Sequence, residues 1–241
     1  MTNDDGIYGP GLMPLIDEMR KLGKVISVVP DQERSGVSHS ITLHKPLRVQ
    51  KINKGLYVAN GTPADCVRFA VITLFKNKID LVVSGVNTGP NLGQDVVYSG
   101  TVAGAREAAM MNIPSFSVSV GRSAKPNFNL SSKTARLIAK KILGNYFPEN
   151  IYLNVNVPDI VKGYSITTLG QRIYDQDIEC RKDPRGERYY WLAGKNVSGI
   201  SLPGTDIHAV EKGLVSITPL NLNPVAMDFF ESFNQWIKDL N

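Results

Sequence analysis

Cysteine is scarce in this chain of 241 residues, and so are the residues that would indicate a zinc site. The two cysteines, Cys66 and Cys180, lie far apart without metal-ligand spacing, which is typical of ordinary thiols in a reducing cytoplasm. The three histidines, His39, His44 and His208, lack ligand spacing as well. We therefore expect a cytoplasmic protein whose histidines are surface or core residues rather than metal ligands.

Long hydrophobic runs are also missing. No stretch approaches the roughly 20 apolar residues that cross a bilayer, and no basic start followed by an apolar segment indicates a secretory signal. The contents of 42% hydrophobic and 20% charged residues are typical of a globular protein. The length allows one large domain, or one core domain with an appended arm. We expect no membrane partner.

The chain has an excess of positive charge, with a net charge of +5 and a pI near 9.1. A basic protein can bind nucleic acid or phosphorylated small molecules. No recognition-helix, RNA-recognition or zinc-finger pattern is present, and the basic residues are scattered. Their densest group is interrupted by acids and comprises Arg181, Lys182, Arg185 and Arg188. We therefore do not expect nucleic acid to be the principal partner.

Helix and strand patterns alternate through residues 1–160. Apolar residues at three- and four-residue spacing predict helices, and short β-branched runs predict buried strands. The predicted helices are 11–22, one beginning at Thr62, 99–111 and 131–143, and the predicted strands are 25–29, 80–83, 113–120 and 151–157. This alternation predicts an α/β fold with a doubly wound, Rossmann-like, mostly parallel sheet, which would form the core domain.

Residues 161–241 have a different character and are predicted to form a C-terminal extension. Residues 167–199 are polar, contain scattered aromatics and are rich in turn signals, which predicts a hairpin arm. Within it, 189–192 predicts an exposed β segment that either contacts another protein or covers the core. Residues 213–220 predict a late strand returning to the core. A terminal helix carries an apolar stripe of Phe229, Phe230, Phe233, Trp236 and Ile237.

Two adjacent acids, Asp4 and Asp5, lie almost at the start of the sequence. Adjacent carboxylates repel unless a cation lies between them. In a strand they point to opposite faces, so both reach one cation only where the chain turns. Gly6 permits such a turn. The alternative is a solvated Asp-Asp-Gly turn.

Few residues are available for the strand that should precede this acidic turn. Only Met1 and Thr2 precede Asn3, whereas a central parallel strand needs about five residues. We therefore expect a shortened first strand and a weaker sheet beside the turn, whether the shortening belongs to this sequence or to the natural chain.

Three polar segments are each predicted to follow a strand: residues 3–6, 30–36 and 84–93. In open α/β sheets, ligands bind outside the carboxyl ends of the strands, so these segments should converge. Together they offer carboxylates, hydroxyls and amide carbonyls. Such hard oxygen donors select Mg²⁺, Mn²⁺ or Ca²⁺ rather than zinc or copper.

The third segment continues into a helix that begins near Ser99 and is lined with small residues. Unpaired N–H groups at a helix start bind anions, and the hydroxyls of Ser99 and Thr101 would add donors. The alternative is a Ser/Thr N-cap followed by alanines that allow close packing. The pattern is neither a P-loop nor a dinucleotide fingerprint. A metal beside an anion site predicts phosphate-ester hydrolysis, with one carboxylate orienting or deprotonating water.

Two other functions are compatible with these residues. A phosphatase could use an aspartate as covalent nucleophile. However, haloacid-dehalogenase-type enzymes separate their two aspartates by one residue, and here the aspartates are adjacent. A non-enzymatic nucleotide-binding or nucleic-acid-binding module would bind without metal-stimulated hydrolysis, and nucleic-acid binding would depend steeply on salt.

The ordered motifs resemble those of the SurE survival-protein family of 5′/3′-nucleotidases. The similarity extends over almost the whole chain and is carried by TNDDG at 2–6, PDQERS at 30–35, GTPADCV at 61–67, SGVN at 84–87, YSGTV at 98–102, LNVNVP at 153–158, DPRG at 183–186, TD at 205–206 and SITPL at 216–220. One departure is that family members usually carry a hydrophobic strand before the first motif.

The resemblance implies a phosphomonoesterase that uses Mg²⁺ or Mn²⁺ to hydrolyse nucleoside 5′-monophosphates, with 3′-monophosphates and short polyphosphate as further candidate substrates. It implies metal ligands at Asp4, Asp5, Ser35 and Asn87, with Asp4 and Asp5 also catalytic. It implies phosphate contacts at Asn91, Ser99, Gly100 and Thr101. It further implies a homodimer or homotetramer built by the hairpin arm and by exchange of the C-terminal segment.

Overall fold

The computed structural model describes residues 1–75, 78–121, 125–174, 178–192 and 197–238. Its strands are β1 (Ser27–Pro30), β2 (Val49–Asn53), β3 (Leu56–Ala59), β4 (Val82–Asn87), β5 (Ser115–Val120), β6 (Ile151–Val157), β7 (Gly163–Ile166), β8 (Gln171–Tyr174), β9 (Glu179–Lys182), β10 (Arg188–Trp191), β11 (Val197–Ile200) and β12 (Leu214–Asn221). Its helices are α1 (Leu12–Arg20), α2 (Pro63–Phe69), α3 (Gly100–Met110), α4 (Phe128–Leu143), α5 (Asp206–Glu211) and α6 (Phe230–Lys238).

Two groups of strands form the centre of the molecule. One has the order β4-β5-β6-β12-β7 and the other has the order β1-β3-β2. Strands β4, β5 and β6 run parallel, as do β1 with β3 and β7 with β12, whereas β12 is antiparallel to β6 and β2 is antiparallel to β3. The predicted mostly parallel α/β sheet is therefore confirmed.

Residues 1–3 connect the two groups. Thr2 pairs in parallel with Ser84 of β4, and the N–H of Val28 in β1 donates to the carbonyl of Met1 at 3.0 Å. The predicted shortened strand is thus a single bridge between β1 and β4. A separate cavity of about 170 Å³ is lined by residues just before β1, by the start of β4 and by residues of α1 and α2, and none of the predicted site residues line it.

Helices cover both faces of the sheet, as expected for a doubly wound fold. On one face, Leu15 of α1 and Ile138 of α4 pack around the fully buried Phe116 of β5. On the other face, Val67 of α2 packs with Ala108 of α3. Strands buried on both sides explain the continuous apolar runs in the sequence.

Strand β4 corrects one prediction. The SGVN segment was expected to follow a strand, but residues 84–87 lie within β4. Gly85 pairs with Val118 of β5, and Asn87 pairs with Ser119. Ser84 and its partner Ser117 are fully buried, so the small polar residues belong to the sheet interior rather than to a turn. Only Asn87, at the carboxyl end, is placed as predicted.

The C-terminal part contains the predicted arm, late strand and terminal helix. Strands β8 and β11 pair antiparallel, as do β9 and β10, while β12 joins the main sheet beside β6. Residues 175–177 and 193–196 of the predicted arm lie outside the described residues. The division at residue 160 stays a prediction. No helix among the described residues is long and apolar enough to cross a membrane.

Candidate active site

The acidic turn is held in place by the backbone of the second polar segment. The N–H of Arg34 donates to the carbonyl of Asp4 at 2.7 Å, and the N–H of Ile7 donates to that of Pro30 at 3.0 Å. Gly6 has a positive φ of +76°, and a Cβ there would lie 2.8 Å from the carbonyl carbon of Gln32. The turn therefore requires glycine at this position, both for its backbone conformation and for space.

Asp4 is buried against the start of α3. Only 4% of the residue is exposed, and the hydroxyl of Thr101 donates to its carboxylate. Burial raises the pKa of Asp4 to about 6, the hydrogen bond from Thr101 opposes that rise, and the charge of Asp5 adds to it. Because burial disfavours the ionised form of this carboxyl, a nearby cation would stabilise that form.

Asp5 has one satisfied and one unsatisfied oxygen. The hydroxyl of Thr88 donates to Oδ1 at 3.0 Å, while Oδ2 is buried without a hydrogen-bond partner among the described residues. Burial raises the pKa of Asp5 above its ordinary value, although Thr88 opposes the change. Across the described ranges, no lysine, arginine or histidine forms an ion pair with Asp4 or Asp5. An unpartnered buried oxygen in an acidic pair fits a divalent cation.

Ser35 and Asn87 approach from two different strand ends. Ser35 is exposed, and its hydroxyl donates to Glu33 at 2.8 Å. The Nδ2 of Asn87 donates to the carbonyl of Gly89 at 2.7 Å, and its Oδ1 forms no hydrogen bond with the described residues. The part of the chain that is described has no cluster of three or more His, Cys, Asp or Glu residues able to hold a metal ion. The predicted ligand set would reach four only through a hydroxyl and an amide.

A cavity of about 180 Å³ brings most of the predicted site residues together. Five of the eight line it, namely Asp4, Ser35, Asn87, Asn91 and Ser99. The other three adjoin these residues: Asp5 follows Asp4 in the chain, Thr101 donates to Asp4, and Gly100 lies against the Asp4 side chain. The structure thus gathers the eight residues, and their roles stay predictions.

The start of α3 combines the two interpretations of its sequence. Ser99 is the N-cap, and its hydroxyl accepts the N–H of Val102 at 3.1 Å, as the capping alternative expects. The N–H of Gly100 makes no hydrogen bond with the described residues. Because the first N–H groups of a helix have no partner within it, this end can also bind an anion.

Asn91 is held by a buried polar network that sequence reasoning missed. Its N–H donates to Oδ1 of Asn156 at 2.9 Å, and its Nδ2 donates to the hydroxyl of Ser119 at 2.8 Å. Its carbonyl accepts from Nδ2 of Asn154 at 2.8 Å and of Asn156 at 2.9 Å. The signal was present as two asparagines on one face of the otherwise apolar strand β6.

Five further residues line the cavity without having been predicted as site residues: Gly36 and Pro90 from the second and third polar segments, and Asp95, Tyr98 and Tyr174. Asp95 and Tyr98 lie in the segment between Asn91 and Ser99, and position along the chain could have found them. Tyr174 lies about 75 residues later, on β8 of the arm, and no local pattern connects it to the site.

Comparison with known proteins shows similarity to one protein family over nearly the whole chain. The protein-family model described as Survival protein SurE matches residues 1–176. A protein named 5′-nucleotidase SurE from Geobacter sulfurreducens is 44% identical over 228 residues, covering 92% of this chain and 87% of the relative. Another of the same name, from Vibrio cholerae, is 41% identical over 244 residues, covering 99% and 97%.

A solved structure matches the fold as well. The crystal structure of the SurE protein from Aquifex aeolicus superposes with a TM-score of 0.86 at 38% sequence identity, covering 98% of this chain and 97% of that one. The matched range of the family model, residues 1–176, includes the acidic turn. This chain belongs to the SurE survival-protein family.

Proposed function

We propose that this protein is a metal-dependent phosphomonoesterase that hydrolyses nucleoside 5′-monophosphates to nucleoside and phosphate. The observation that carries this proposal is the buried acidic pair Asp4–Asp5, which lies at the start of α3 beside a polar cavity. Membership of the SurE family, whose curated members above are named 5′-nucleotidase, makes the chain a 5′-nucleotidase. Nucleoside 3′-monophosphates and short polyphosphate are further candidate substrates.

The donor set supports Mg²⁺ or Mn²⁺ as the cofactor. Asp4, Asp5, Ser35 and Asn87 would hold the ion through oxygen atoms only, which suits hard cations. When bound, the ion would polarise the phosphoryl group and lower the pKa of a coordinated water. The Oδ2 of Asp5 is buried without a partner, and the Oδ1 of Asn87 accepts no hydrogen bond from the described residues, so both atoms are available to such an ion.

The phosphate group would lie at the start of α3. The N–H of Gly100 and the partial positive charge of the helix end would stabilise the negative charge that develops on the phosphoryl oxygens. Asn91 would add contacts from a side chain that Ser119 already orients. Thr101 holds Asp4 in position, and Thr88 does the same for Asp5. One of these carboxylates would orient the attacking water and accept its proton.

The partner and compartment proposals rest on the exposed surfaces and the thiols. We propose a homodimer or homotetramer because β10 and α6 expose aromatic residues that are seldom left in contact with water in such number. We propose a cytoplasmic location because Cys66 and Cys180 are both free. Nucleoside monophosphates are the proposed small-molecule partners, with no membrane and no nucleic acid as principal partner.

Replacement of Asp5 by asparagine tests the metal assignment. We expect Asp5→Asn to lower phosphate release from AMP, with Mn²⁺ or Mg²⁺, by at least about 100-fold, because a ligand charge is lost while the shape is kept. Circular dichroism should show an intact fold. The matched control is Asp80→Asn, which changes an exposed acid outside the cavity and should turn over like the parent.

Three outcomes would contradict parts of the proposal. Unchanged turnover in Asp5→Asn would refute the metal assignment. Trapping of a phospho-aspartyl enzyme would instead favour the covalent mechanism. Nucleotide binding without any metal-stimulated hydrolysis in the parent protein would favour a non-enzymatic binding module.

A further inference from the structure

Two tyrosines belong to the cavity but not to its predicted metal or phosphate positions. Tyr98 is 62% exposed and Tyr174 is 44% exposed, and both line the cavity that contains Asp4 and Ser99. Among the described residues, their rings contact no other aromatic ring. Exposed rings beside the proposed phosphate site are available to a ligand group that is flat and apolar on its faces.

The arm strand β8 is fixed to the active-site segment, so Tyr174 is held in place. The side chain of Gln94 pairs with the backbone of Arg172 in both directions, with Nε2 to the carbonyl oxygen at 2.7 Å and Oε1 accepting the N–H at 2.8 Å. Arg172 Nε also donates to Asp95 Oδ2 at 2.9 Å. The two side chains of this ion pair are only 12% and 14% exposed, which strengthens it relative to a surface pair.

Asp95 connects the two tyrosines with the phosphate site. Its carboxylate accepts the hydroxyl of Tyr174, and its carbonyl accepts the N–H groups of Tyr98 at 3.0 Å and Ser99 at 3.1 Å. Asp95 therefore holds the Tyr174 side chain and the backbone of Tyr98 beside the start of α3. A substrate that carries a phosphate and a planar ring, separated by a spacer, could place the phosphate at the start of α3 and the ring against the tyrosines.

We propose that Tyr98 and Tyr174 form the nucleoside subsite, in which the base of a bound nucleoside monophosphate contacts their rings while its phosphate lies at Ser99 and Gly100. This inference rests on the proposed function, and it names the residues that would make the enzyme prefer nucleotides to other phosphate esters. Every base has a π face, so stacking on tyrosine discriminates little between bases. The Tyr174 hydroxyl and the Arg172 Nε are already engaged with Asp95, which leaves them unavailable to recognise a base edge.

A comparison of AMP with ribose 5-phosphate isolates the base, because the two substrates share the sugar and the phosphate. The measured quantity is the ratio of kcat/KM for AMP to kcat/KM for ribose 5-phosphate, with Mn²⁺. We expect Tyr98→Ala and Tyr174→Ala each to reduce this ratio about 10-fold, since a stacked base loses one of its contacts. Adenosine should also inhibit ribose 5-phosphate hydrolysis less in both variants than in the parent.

Two further variants distinguish ring contact from a structural role. Tyr174→Phe keeps the ring and should keep most of the ratio, although the hydroxyl bond to Asp95 is lost. Tyr146→Ala removes a tyrosine that is 87% exposed outside the cavity, and its ratio should equal that of the parent. Thermal unfolding of each variant reports whether the fold is retained.

The outcomes separate this inference from the proposed function. A parent ratio near one, or a ratio unchanged in both alanine variants, would overturn the nucleoside subsite while leaving the phosphatase assignment intact. Equal losses on the two substrates would assign the tyrosines a structural role and overturn the subsite as well. A parent protein that releases phosphate from neither substrate would instead refute the proposed function.

Discussion

Gly100 brings the phosphate site and the acidic pair into contact. A Cβ at this position would lie 2.9 Å from Cβ of Asp4 and 3.2 Å from the carbonyl oxygen of Arg34. Because Asp4 is itself held by Thr101 from the same helix, the side chain has little room to move away. The absence of a side chain at position 100 therefore sets how closely the carboxylate approaches the start of α3.

We expect Gly100→Ala to reduce phosphate release from AMP by at least about 10-fold, because the Asp4 carboxylate must shift by a few tenths of an ångström. Steady-state kinetics with Mn²⁺ measure the effect. The matched control is Gly23→Ala, since a Cβ at Gly23 meets no atom within 4 Å. Parent-like kinetics in Gly100→Ala would show that the close approach of Asp4 to α3 has no part in turnover.

Among individual residues, the sequence predicted those cavity residues that lie within continuous motifs. Asp4, Ser99 and Asn87 reach one region because strand ends in an α/β sheet meet at one edge, a rule that needs no coordinates. Tyr174 could not be found in this way. It reaches the cavity through the pairing of Gln94 with Arg172, and no local pattern encodes contacts between residues so distant in sequence.

Among the structural elements, the loop of residues 31–48 between β1 and β2 has no strand or helix of its own, yet it carries Ser35. Glu107 of α3 is 1% exposed and accepts His39 Nε2 and Arg68 Nε, each at 2.8 Å. Burial alone would raise the pKa of Glu107, but His39 and Arg68 outweigh it and hold that pKa below its ordinary value. One buried carboxylate thus fixes this loop to α2 and α3.

We expect Glu107→Gln to lower the free energy of unfolding by about 2 kcal/mol at pH 7, because it removes the charge that pairs with Arg68 and His39. A group whose folded pKa is depressed contributes stability above its unfolded pKa, here about 4.5, and the contribution is lost as pH falls through the folded pKa. Urea unfolding should therefore show the parent and Glu107→Gln converging in acid.

The control for this experiment is Glu211→Gln, an exposed acid on α5 that forms no ion pair among the described residues. Glu211→Gln should have the same free energy of unfolding as the parent at pH 7 and in acid. A stability loss in Glu107→Gln that stays the same from pH 7 into acid would mean that packing, not charge, is responsible.

The sequence predicted the elements whose signals are local and missed those whose signals are not. The α2 start was predicted from Thr62 and Pro63, and the structure has a full capping box there with Asp65. Strands β2 and β3 were missed, because β2 is mostly exposed and gives no buried apolar run. The SGVN segment was predicted to follow a strand because the apolar run ends at Val83, whereas pairing with β5 continues β4 through Asn87.

In the whole molecule, helix α6 stands out because the contacts within one chain do not bury its aromatic face. None of its residues is buried, and Phe230, Phe233 and Trp236 are 53%, 61% and 60% exposed. Phe233 and Trp236 contact each other edge to face, with ring centroids 6.5 Å apart. A helix with an aromatic face in water is stabilised mainly when that face packs against something else.

We expect the parent protein to be oligomeric at micromolar concentration and Phe233→Glu to shift it toward smaller species, because a charge in the apolar contact is costly to bury. Light scattering coupled to size-exclusion chromatography measures the mass. Tyr146→Glu places the same charge at another exposed aromatic and should leave the mass unchanged. A monomeric parent over this concentration range would contradict the proposed homodimer or homotetramer.

The short segment of residues 1–3 has a consequence for how the molecule holds together. Thr2 bonds to both Val83 and Gly85 of β4, while the carbonyl of Met1 accepts from Val28 of β1. The described strands of the two groups have no other pairing between them. The proposed ion would take Asp4 and Asp5 from the turn that directly follows this segment, Ser35 from beyond β1 and Asn87 from the end of β4. Binding of the ion would therefore stabilise the contact between the two groups of strands. By thermodynamic linkage, any local separation of these groups would weaken the binding of the ion.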